Sequence, residues 1–245
     1  MTALPTRKLE AYRYADIDAL ASVWNELASP ERIEIAARQK VQQIWLPTGD
    51  EVQVRRVAMA LGAGASATIF ALNTTPRYGR IELDVTLAQD ADFAFHAANI
   101  GGGEATLEIV TTVRHAEPNA TSRQTVRSVL GGKATGSYLG QVAVARGADG
   151  TDSEQSVKAM LLNRGASANA KPELEIYADD VKCAHGATVG ELDPQQLFYA
   201  AARGLPPAEA KALLLEGFIG GLWDALGEDS EIAAAARTAL REVTR

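Results

Sequence analysis

Cysteine is almost absent from this chain of 245 residues, which contains only Cys183. A single cysteine excludes an internal disulfide and agrees with a reducing compartment. Long apolar runs are also missing, because no stretch of about 18 apolar residues occurs. The first residues lack the hydrophobic segment of a signal peptide. These absences predict a cytoplasmic protein that neither spans a membrane nor is exported.

Basic charge is scarce as well. Lysine and arginine total 24 against 31 aspartate and glutamate residues, which gives a net charge of -7. No run of basic residues exceeds two, so the clustered positive surface that nucleic-acid binding needs is not indicated. Residues 131–134 lack the upstream glycine and the following Ser/Thr of a phosphate-binding loop, and the common hydrolase motifs are missing. We therefore expect that the chain binds no nucleotide and is not itself an enzyme.

Apolar residues alternate with polar ones through the middle of the chain. The alternation begins near Val41, is broken by a turn at residues 47–50, and resumes at residues 51–57. It recurs at residues 66–71, 79–87, 91–97, 105–113 and 122–130. Period-two alternation between Gly, Asn, Asp and Pro residues predicts about ten short strands and a mainly β body. A sandwich, a barrel and a solenoid all fit this spacing, because no sharp internal repeat selects among them.

Helical patterns flank the strand region on both sides. Residues 8–24 have apolar positions at helical spacing, with Asp16 as a candidate N-cap. Beyond the strands, Asp193 is a candidate N-cap and Pro194 suits the first helical position. We therefore predict three divisions of the chain: a helical segment over 1–40, a β body over 41–191 and a helical region over 192–245.

The longest predicted helix runs from Pro206 to Gly227. Its apolar stripe comprises Leu215, Phe218, Ile219, Leu222, Trp223 and Leu226. The stripe fits two interpretations: packing against the β body, or a partner-binding surface formed by Phe218, Ile219, Leu222 and Trp223. Gly220 and Gly221 interrupt it at a cost of about 1 kcal/mol each relative to alanine, which indicates close approach of another backbone.

Cys183 and His185 lie two residues apart in the segment KPELEIYADDVKCAHGATVG, residues 171–190. Residues at this spacing in a strand point to the same face, so a thiol and an imidazole would stand side by side. Both groups can bind iron or zinc. A lone cysteine is nevertheless more often a small buried residue, and a lone histidine more often structural. His96 and His115 have no partner spacing and are interpreted as structural or surface residues.

The same segment, followed by LFYAAARG, resembles the C-terminal signature of the SufB/SufD family of iron–sulfur cluster assembly proteins, and within it the SufD branch. Further similarity lies in TSRQTVRSVL, GSYLGQVAV and DSEQSVKAMLL, at residues 121–130, 136–144 and 152–162. A short match, LPTRKLEAYRYAD, lies near the N-terminus. The resemblance is dense over the last half of the chain and thin over the first.

This resemblance implies a right-handed parallel β-helix with α-helices at its N-terminal and C-terminal sides. A stack of coils leaves unpaired backbone groups only at its two ends. We expect the N-terminal helices to cap one end. The Cys183–His185 strand would form the last coil at the other end, where either the C-terminal helices or another chain would cover it.

The resemblance also implies a function. The chain would be a non-catalytic subunit that pairs with SufB and with the SufC ABC-type ATPase, the latter through its C-terminal helices. An iron–sulfur cluster would be assembled transiently at the junction with SufB, with His185 and, less firmly, Cys183 as ligands. One cysteine is too few to hold a cluster alone, so the site must be shared. In isolation the chain could form a homodimer.

Two other functions fit a β-helix. A polysaccharide enzyme would need several carboxylates displayed together, and the nearest approach is Asp84, Asp90 and Asp92, whose spacing does not match. A homodimeric interaction protein without a metal role is the second alternative. Copurification of an ATPase and a second scaffold would distinguish the assembly subunit from both.

Overall fold

The computed structural model describes residues 3–27 and 29–244, so the outermost ends of the predicted helical segments, residues 1–2 and 245, lie outside it. Within the described residues, twelve strands form two six-stranded parallel sheets. The odd sheet contains β1 (Glu31–Ile35), β3 (Val52–Leu61), β5 (Tyr78–Leu87), β7 (Thr106–His115), β9 (Thr135–Val144) and β11 (Ser167–Ile176). The even sheet contains β2 (Lys40–Trp45), β4 (Ser66–Asn73), β6 (Asp92–Gly101), β8 (Thr121–Leu130), β10 (Asp152–Leu161) and β12 (Lys182–Glu191). The chain alternates between the sheets, so each pair of strands is one coil of a solenoid, which confirms the predicted parallel β-helix.

Successive coils differ in length. Residue 52 pairs with 78, 78 with 106, 106 with 135, and 135 with 167. The offset between paired residues therefore grows from 26 to 32 along the solenoid, which is why no fixed repeat is visible in the sequence. The first strand begins at Glu31, inside the segment that the sequence assigned to helix, and the last strand ends at Glu191.

One corner of the solenoid is a stack of tight turns. The backbone N–H of the turn residue donates to a carbonyl of the next coil, as from Gly64 to Gln89 O at 2.8 Å. The stacked turn residues share a positive φ and are Arg38, Gly64, Asp90, Asn119 and Gly150. Glycine, asparagine and aspartate tolerate this left-handed conformation best, so the punctuation seen in the sequence marks the corners.

The N-terminal segment lies along the outer face of the odd sheet. It forms a 3₁₀ turn (Glu10–Tyr12) and helix α1 (Ile17–Leu27). Asp16 accepts a hydrogen bond from the backbone N–H of Ala19 at 3.0 Å, which confirms it as the N-cap. The prediction that these helices cap an end of the solenoid is wrong. Their apolar side chains instead pack on outward-facing residues of β3 and β5; the cluster contains Tyr12, Leu20, Trp24, Val52, Val54 and Tyr78.

A buried ion pair fastens this segment to the sheet. Arg80 Nη1 lies 3.1 Å from Glu108 Oε2, and both side chains are fully buried. Tyr78 donates its hydroxyl to the same carboxylate oxygen at 2.5 Å. Burial raises the pKa of Tyr78, so its hydroxyl stays protonated as a donor. Arg80 also donates to the carbonyl of Ala11 at 2.8 Å and pairs with Glu82. The cluster therefore joins two coils and the N-terminal segment.

Among the described residues, four further helical elements follow the solenoid: α2 (Pro194–Ala202), α3 (Pro207–Gly220), a 3₁₀ turn (Asp224–Leu226) and α4 (Glu231–Val243). Asp193 accepts a hydrogen bond from Gln195 N at 2.8 Å, which confirms the predicted N-cap of α2. Helices α3 and α4 cover the outer face of the even sheet. This apolar contact includes Phe70, Leu72, Ala98, Ile100 and Val129 from the sheet and Leu215, Ile219, Trp223, Ile232 and Leu240 from the helices. No helix of the described residues is long and apolar enough to cross a membrane.

The helix predicted from Pro206 to Gly227 is shorter than expected. It ends at Gly220, and the chain then turns so that Leu222 and Trp223 reach the sheet. The prediction that another backbone approaches Gly220 and Gly221 closely is also wrong for this chain. A Cβ atom built on Gly220 would meet nothing within 4 Å, and one on Gly221 would meet only Asp224 Oδ2 at 3.9 Å. No backbone of the described residues approaches them, and the pair instead marks the end of the helix.

The buried pair yields a stability prediction. Glu108→Leu removes the fully buried one of the two carboxylates that pair with Arg80, and we expect it to lower the free energy of unfolding by about 3–5 kcal/mol. Adding Arg80→Met should restore part of this loss, because the double variant replaces both members of the buried pair by apolar side chains and Glu82 keeps its pair with Arg56. Urea unfolding of the two single variants and the double variant measures both effects. Additive losses in the double variant would contradict the pairing.

Candidate functional site at the open end of the solenoid

The C-terminal end of the solenoid is open. Strand β11 pairs only with β9, and β12 pairs only with β10, so in the described part of the chain no strand occupies their outer edges. The C-terminal helices do not close this end, because they lie on the face of the even sheet. Apolar side chains are exposed here at Ile176, Tyr177 and Val189. The end therefore combines unpaired backbone groups with exposed apolar surface.

Cys183 and His185 both lie on β12 in this last coil. In the parallel register Cys183 stands opposite Ser153, and His185 stands opposite Gln155. Cys183 packs against the interior residues Val142 and Val144, so this face of β12 points into the solenoid. The same-face arrangement expected from the spacing is therefore present. Cys183 is half-buried, whereas His185 is exposed because no further coil covers it.

The Cys183 thiol is protected from ionisation. Burial raises its pKa, and the negative charge of Asp152 on the neighbouring strand raises it further. A hydrogen bond with the backbone of Ser153 opposes these effects without cancelling them. The thiol is therefore protonated at neutral pH and must lose its proton to bind a metal.

Beneath Cys183, a file of hydrogen-bonded polar side chains runs along the interior. Ser122 donates its hydroxyl to Ser153 at 3.0 Å, and His115 Nε2 lies 2.9 Å from the Ser122 hydroxyl oxygen. Burial lowers the pKa of His115 to about 4, so this imidazole is neutral at pH 7. The interpretation of His115 as structural agrees with this position. His96, on the outer face, stacks on Phe70 with 5.3 Å between ring centroids.

A second polar file lies beneath His185. Gln155 Nε2 donates to the Tyr138 hydroxyl at 2.9 Å. The same hydroxyl lies 3.2 Å from Gln124 Oε1 and 3.1 Å from the Thr111 hydroxyl. Gly140 leaves room for the tyrosine, because a Cβ atom there would lie 2.2 Å from the Tyr138 oxygen. The two files make the interior polar beneath the strand that carries Cys183 and His185.

The sequence contained a signal for these files that strand periodicity alone did not reveal. The pattern S-x-Q-x-V occurs at residues 122–126 and again at 153–157. The paired positions on β12, residues 183–187, read C-x-H-x-A, so cysteine and histidine replace serine and glutamine in the same two columns. Comparing strands at offsets near 30 residues would have found this substitution.

Cys183 and His185 do not complete a metal site by themselves. No group of three or more His, Cys, Asp or Glu side chains with metal-binding geometry occurs among residues 3–27 and 29–244. The carboxylates considered for a polysaccharide enzyme do not converge. Asp84 lies on the odd sheet and pairs with Arg114. Asp92 lies on the even sheet and accepts a hydrogen bond from Thr121.

The partner-binding candidates of the C-terminal stripe are mostly buried. Ile219, Leu222 and Trp223 are each 3% exposed, and Phe218 is partly buried in the same cluster. In the structure these side chains pack against the β body, which is the other interpretation of the stripe. The exposed large apolar residues of this region are Phe198, Tyr199 and Leu213.

Fold and site together define a class of protein: a parallel β-solenoid whose open end presents a thiol and an imidazole. Residues 32–218 match the model of the SufBD core domain, described as SUF system FeS cluster assembly. The chain therefore belongs to the SufBD core family. This confirms the family indicated by the C-terminal signature.

Curated relatives agree with this assignment. An iron–sulfur cluster assembly SufBD family protein of Synechocystis sp. is 30% identical over 72% of this chain and 39% of its own length. The iron–sulfur cluster assembly protein SufD of Escherichia coli is 36% identical over 49% of this chain and 28% of its length. The protein of the same name from Bacillus subtilis is 30% identical over 67% of this chain and 36% of its length. The matched part of this chain thus spans well under half of each relative.

The raised pKa of Cys183 predicts slow alkylation. Because Cys183 is the only cysteine, its reaction with iodoacetamide can be followed without interference. Asp152→Asn removes the neighbouring negative charge, so it should lower the pKa of the thiol and increase the alkylation rate at pH 8. Glu154→Gln removes a nearby carboxylate that does not raise this pKa and serves as the control. An unchanged rate in Asp152→Asn would show that burial alone protects the thiol.

Proposed function

We propose that this chain is a non-catalytic scaffold subunit of Suf iron–sulfur cluster assembly, which pairs with SufB and with the ATPase SufC. The observation that carries this proposal is the open last coil, where Cys183 and His185 of a SufBD core protein lie beside unpaired strand edges. The relatives named SufD support the choice of this role within the family.

The open edges favour pairing with a second solenoid. Strands β11 and β12 each span ten residues, and their outer backbone groups need hydrogen-bond partners. Strands added at this edge would satisfy these groups and would cover Ile176, Tyr177 and Val189. The joint would then enclose Cys183 and His185. SufB is the proposed occupant, and a second copy of this chain is the alternative outcome in isolation.

The cluster is the product that passes through this joint. Its irons ordinarily take four protein ligands, and this chain offers one sulfur and one nitrogen. The partner would supply the remaining ligands, in agreement with the lack of a complete metal site within the described residues. Cys183 binds only after losing its proton, whereas a neutral imidazole at His185 offers a lone pair directly.

The C-terminal helical region is the proposed contact for the ATPase. Helix α2 buries none of its side chains, and Phe198 and Tyr199 are exposed on it. Leu213 on α3 is 59% exposed. Apolar surface of this kind commonly marks a protein interface. This surface replaces the buried stripe residues as the location of the proposed contact.

Substitution of His185 tests the role of the open end. We expect His185→Ala to leave the complex with SufB and SufC assembled, because an interface formed by backbone pairing depends little on one exposed side chain. The cluster absorbance and iron content of the copurified complex should fall sharply. Cys183→Ser should have an equal effect if both residues are ligands and a weaker one if the thiol is secondary.

Thr188→Ala provides the matched control, because Thr188 lies on the same strand and is also exposed but faces outward. It should leave both the complex and the cluster yield unchanged. A normal cluster yield in an intact His185→Ala complex would remove this residue from the mechanism. Purification without SufB and SufC would contradict the proposed partners.

Two leucines of α3 separate partner binding from packing. Leu215 is fully buried, so Leu215→Ala should lower the free energy of unfolding by about 2–5 kcal/mol. Leu213→Ala, two residues earlier on the exposed side, should change stability by no more than about 0.5 kcal/mol but weaken copurification of SufC. Urea unfolding and a pull-down assay measure the two effects. Undiminished SufC binding by Leu213→Ala would exclude this surface.

A further inference from the structure

Gln155 is buried directly beneath His185, and in the described residues the oxygen of its side-chain amide has no hydrogen-bond partner. Its side chain is 1% exposed and lies opposite His185 in the parallel register. Its Nε2 donates to Tyr138, but its Oε1 is buried without a hydrogen-bond partner in the described parts of the chain. An unsatisfied buried acceptor costs about 1–3 kcal/mol, so it calls for a donor.

We propose that Gln155 is a positioning residue for His185. Its Oε1 accepts a hydrogen bond from one ring N–H of His185, which fixes the tautomer and the ring plane. The other ring nitrogen then keeps its lone pair for a metal. This inference rests on the proposed function only for the identity of the metal that His185 binds. The hydrogen bond itself forms between two residues of this chain and does not depend on that function.

The ladder brings the two side chains within reach. Neighbouring strands lie about 4.8 Å apart, and paired residues of a parallel sheet point to the same side. The amide of Gln155 can therefore contact the imidazole of His185 on the next strand after a modest rotation of the exposed ring. Metal-binding histidines almost always donate their other N–H to an oxygen, and a buried, otherwise unused carbonyl supplies one here.

Tyr138 holds the amide in the orientation that this role needs. Its hydroxyl is fully buried between Thr111 and Gln124, and it accepts from Gln155 Nε2. The Oε1 atom of Gln155 is therefore the end left free. Ser153, beneath Cys183, is already engaged by the hydroxyl of Ser122. Gln155 is thus the interior residue placed to accept from His185.

Gln124 offers a matched control. It has the same side chain, the same 1% exposure and a contact with the same tyrosine, but it lies one coil deeper, two rungs from His185. Methionine has nearly the volume of glutamine and lacks its hydrogen-bonding groups. Gln155→Met and Gln124→Met should therefore disturb packing equally, whereas only the first removes the acceptor next to His185.

Nitrogen NMR of the full chain tests the hydrogen bond directly. The chain has three histidines, and His185→Ala identifies the signals of this one. Long-range ¹H–¹⁵N spectra of the ¹⁵N-histidine-labelled protein report which ring nitrogen carries the proton. We expect one dominant tautomer in the natural chain and in Gln124→Met. In Gln155→Met, His185 should show the mixture of tautomers and the mobility of a free imidazole, whereas Gln155→Glu, which keeps an oxygen acceptor, should retain the single form.

Cluster yield in the copurified complex provides the second measurement. Loss of such a supporting hydrogen bond typically lowers metal affinity or activity 10–100-fold, so Gln155→Met should reduce the yield about ten-fold or more. Thermal unfolding of both methionine variants confirms that each is folded. An unchanged His185 tautomer in folded Gln155→Met, or an equal change in Gln124→Met, would overturn the inference. A changed tautomer in Gln155→Met together with a normal cluster yield in His185→Ala would retain the inference and remove His185 from the proposed cluster site.

Discussion

Backbone pairing between successive coils is the constraint on which the rest of this structure depends. Each interior strand donates and accepts on both sides, so its polar backbone is satisfied without side chains. The ladder ends at the last coil, and in the described residues the helical segments lie on faces of the solenoid and leave the outer edges of that coil uncovered. The position of Cys183 and His185 follows from this arrangement. They occupy the coil at which backbone pairing within the described residues ends.

The interior changes character along the axis. Early coils are filled by apolar side chains such as Phe93, Phe95 and Leu83, whereas later coils bury Ser122, Gln124 and Gln155. Buried polar groups cost free energy unless they are hydrogen-bonded, and most of these are linked along the axis. A polar interior fixes side-chain orientation more strictly than an apolar one. Side-chain orientation is thus fixed most strictly beneath the strand that carries Cys183 and His185.

Strand periodicity and helix-cap chemistry predicted much of this structure, but they could not predict contacts between residues that are far apart in the sequence. Period-two alternation located the strands, and the caps at Asp16 and Asp193 followed from side-chain chemistry. The stacking of strands into coils could not be derived from spacing, because paired residues are separated by 26 to 32 positions without a fixed period. The Arg80–Glu108 pair joins two neighbouring coils, and nothing in the sequence links those two residues. The N-terminal segment meets its sheet face through equally distant contacts, such as that of Arg80 with the carbonyl of Ala11, and its placement was missed for the same reason.

The sequence separation between contacting residues sets an order of folding. Paired strands of the ladder join residues about 30 positions apart, whereas the contacts of the N-terminal segment join residues 69 positions apart at Arg80–Ala11 and 161 positions apart at Lys171–Glu10. The entropic cost of closure rises with segment length, and the surface on which Glu10 docks exists only after β11 has formed. The contact of Glu10 with Lys171 must therefore wait until almost the whole solenoid has formed, because its two residues lie 161 positions apart in the chain.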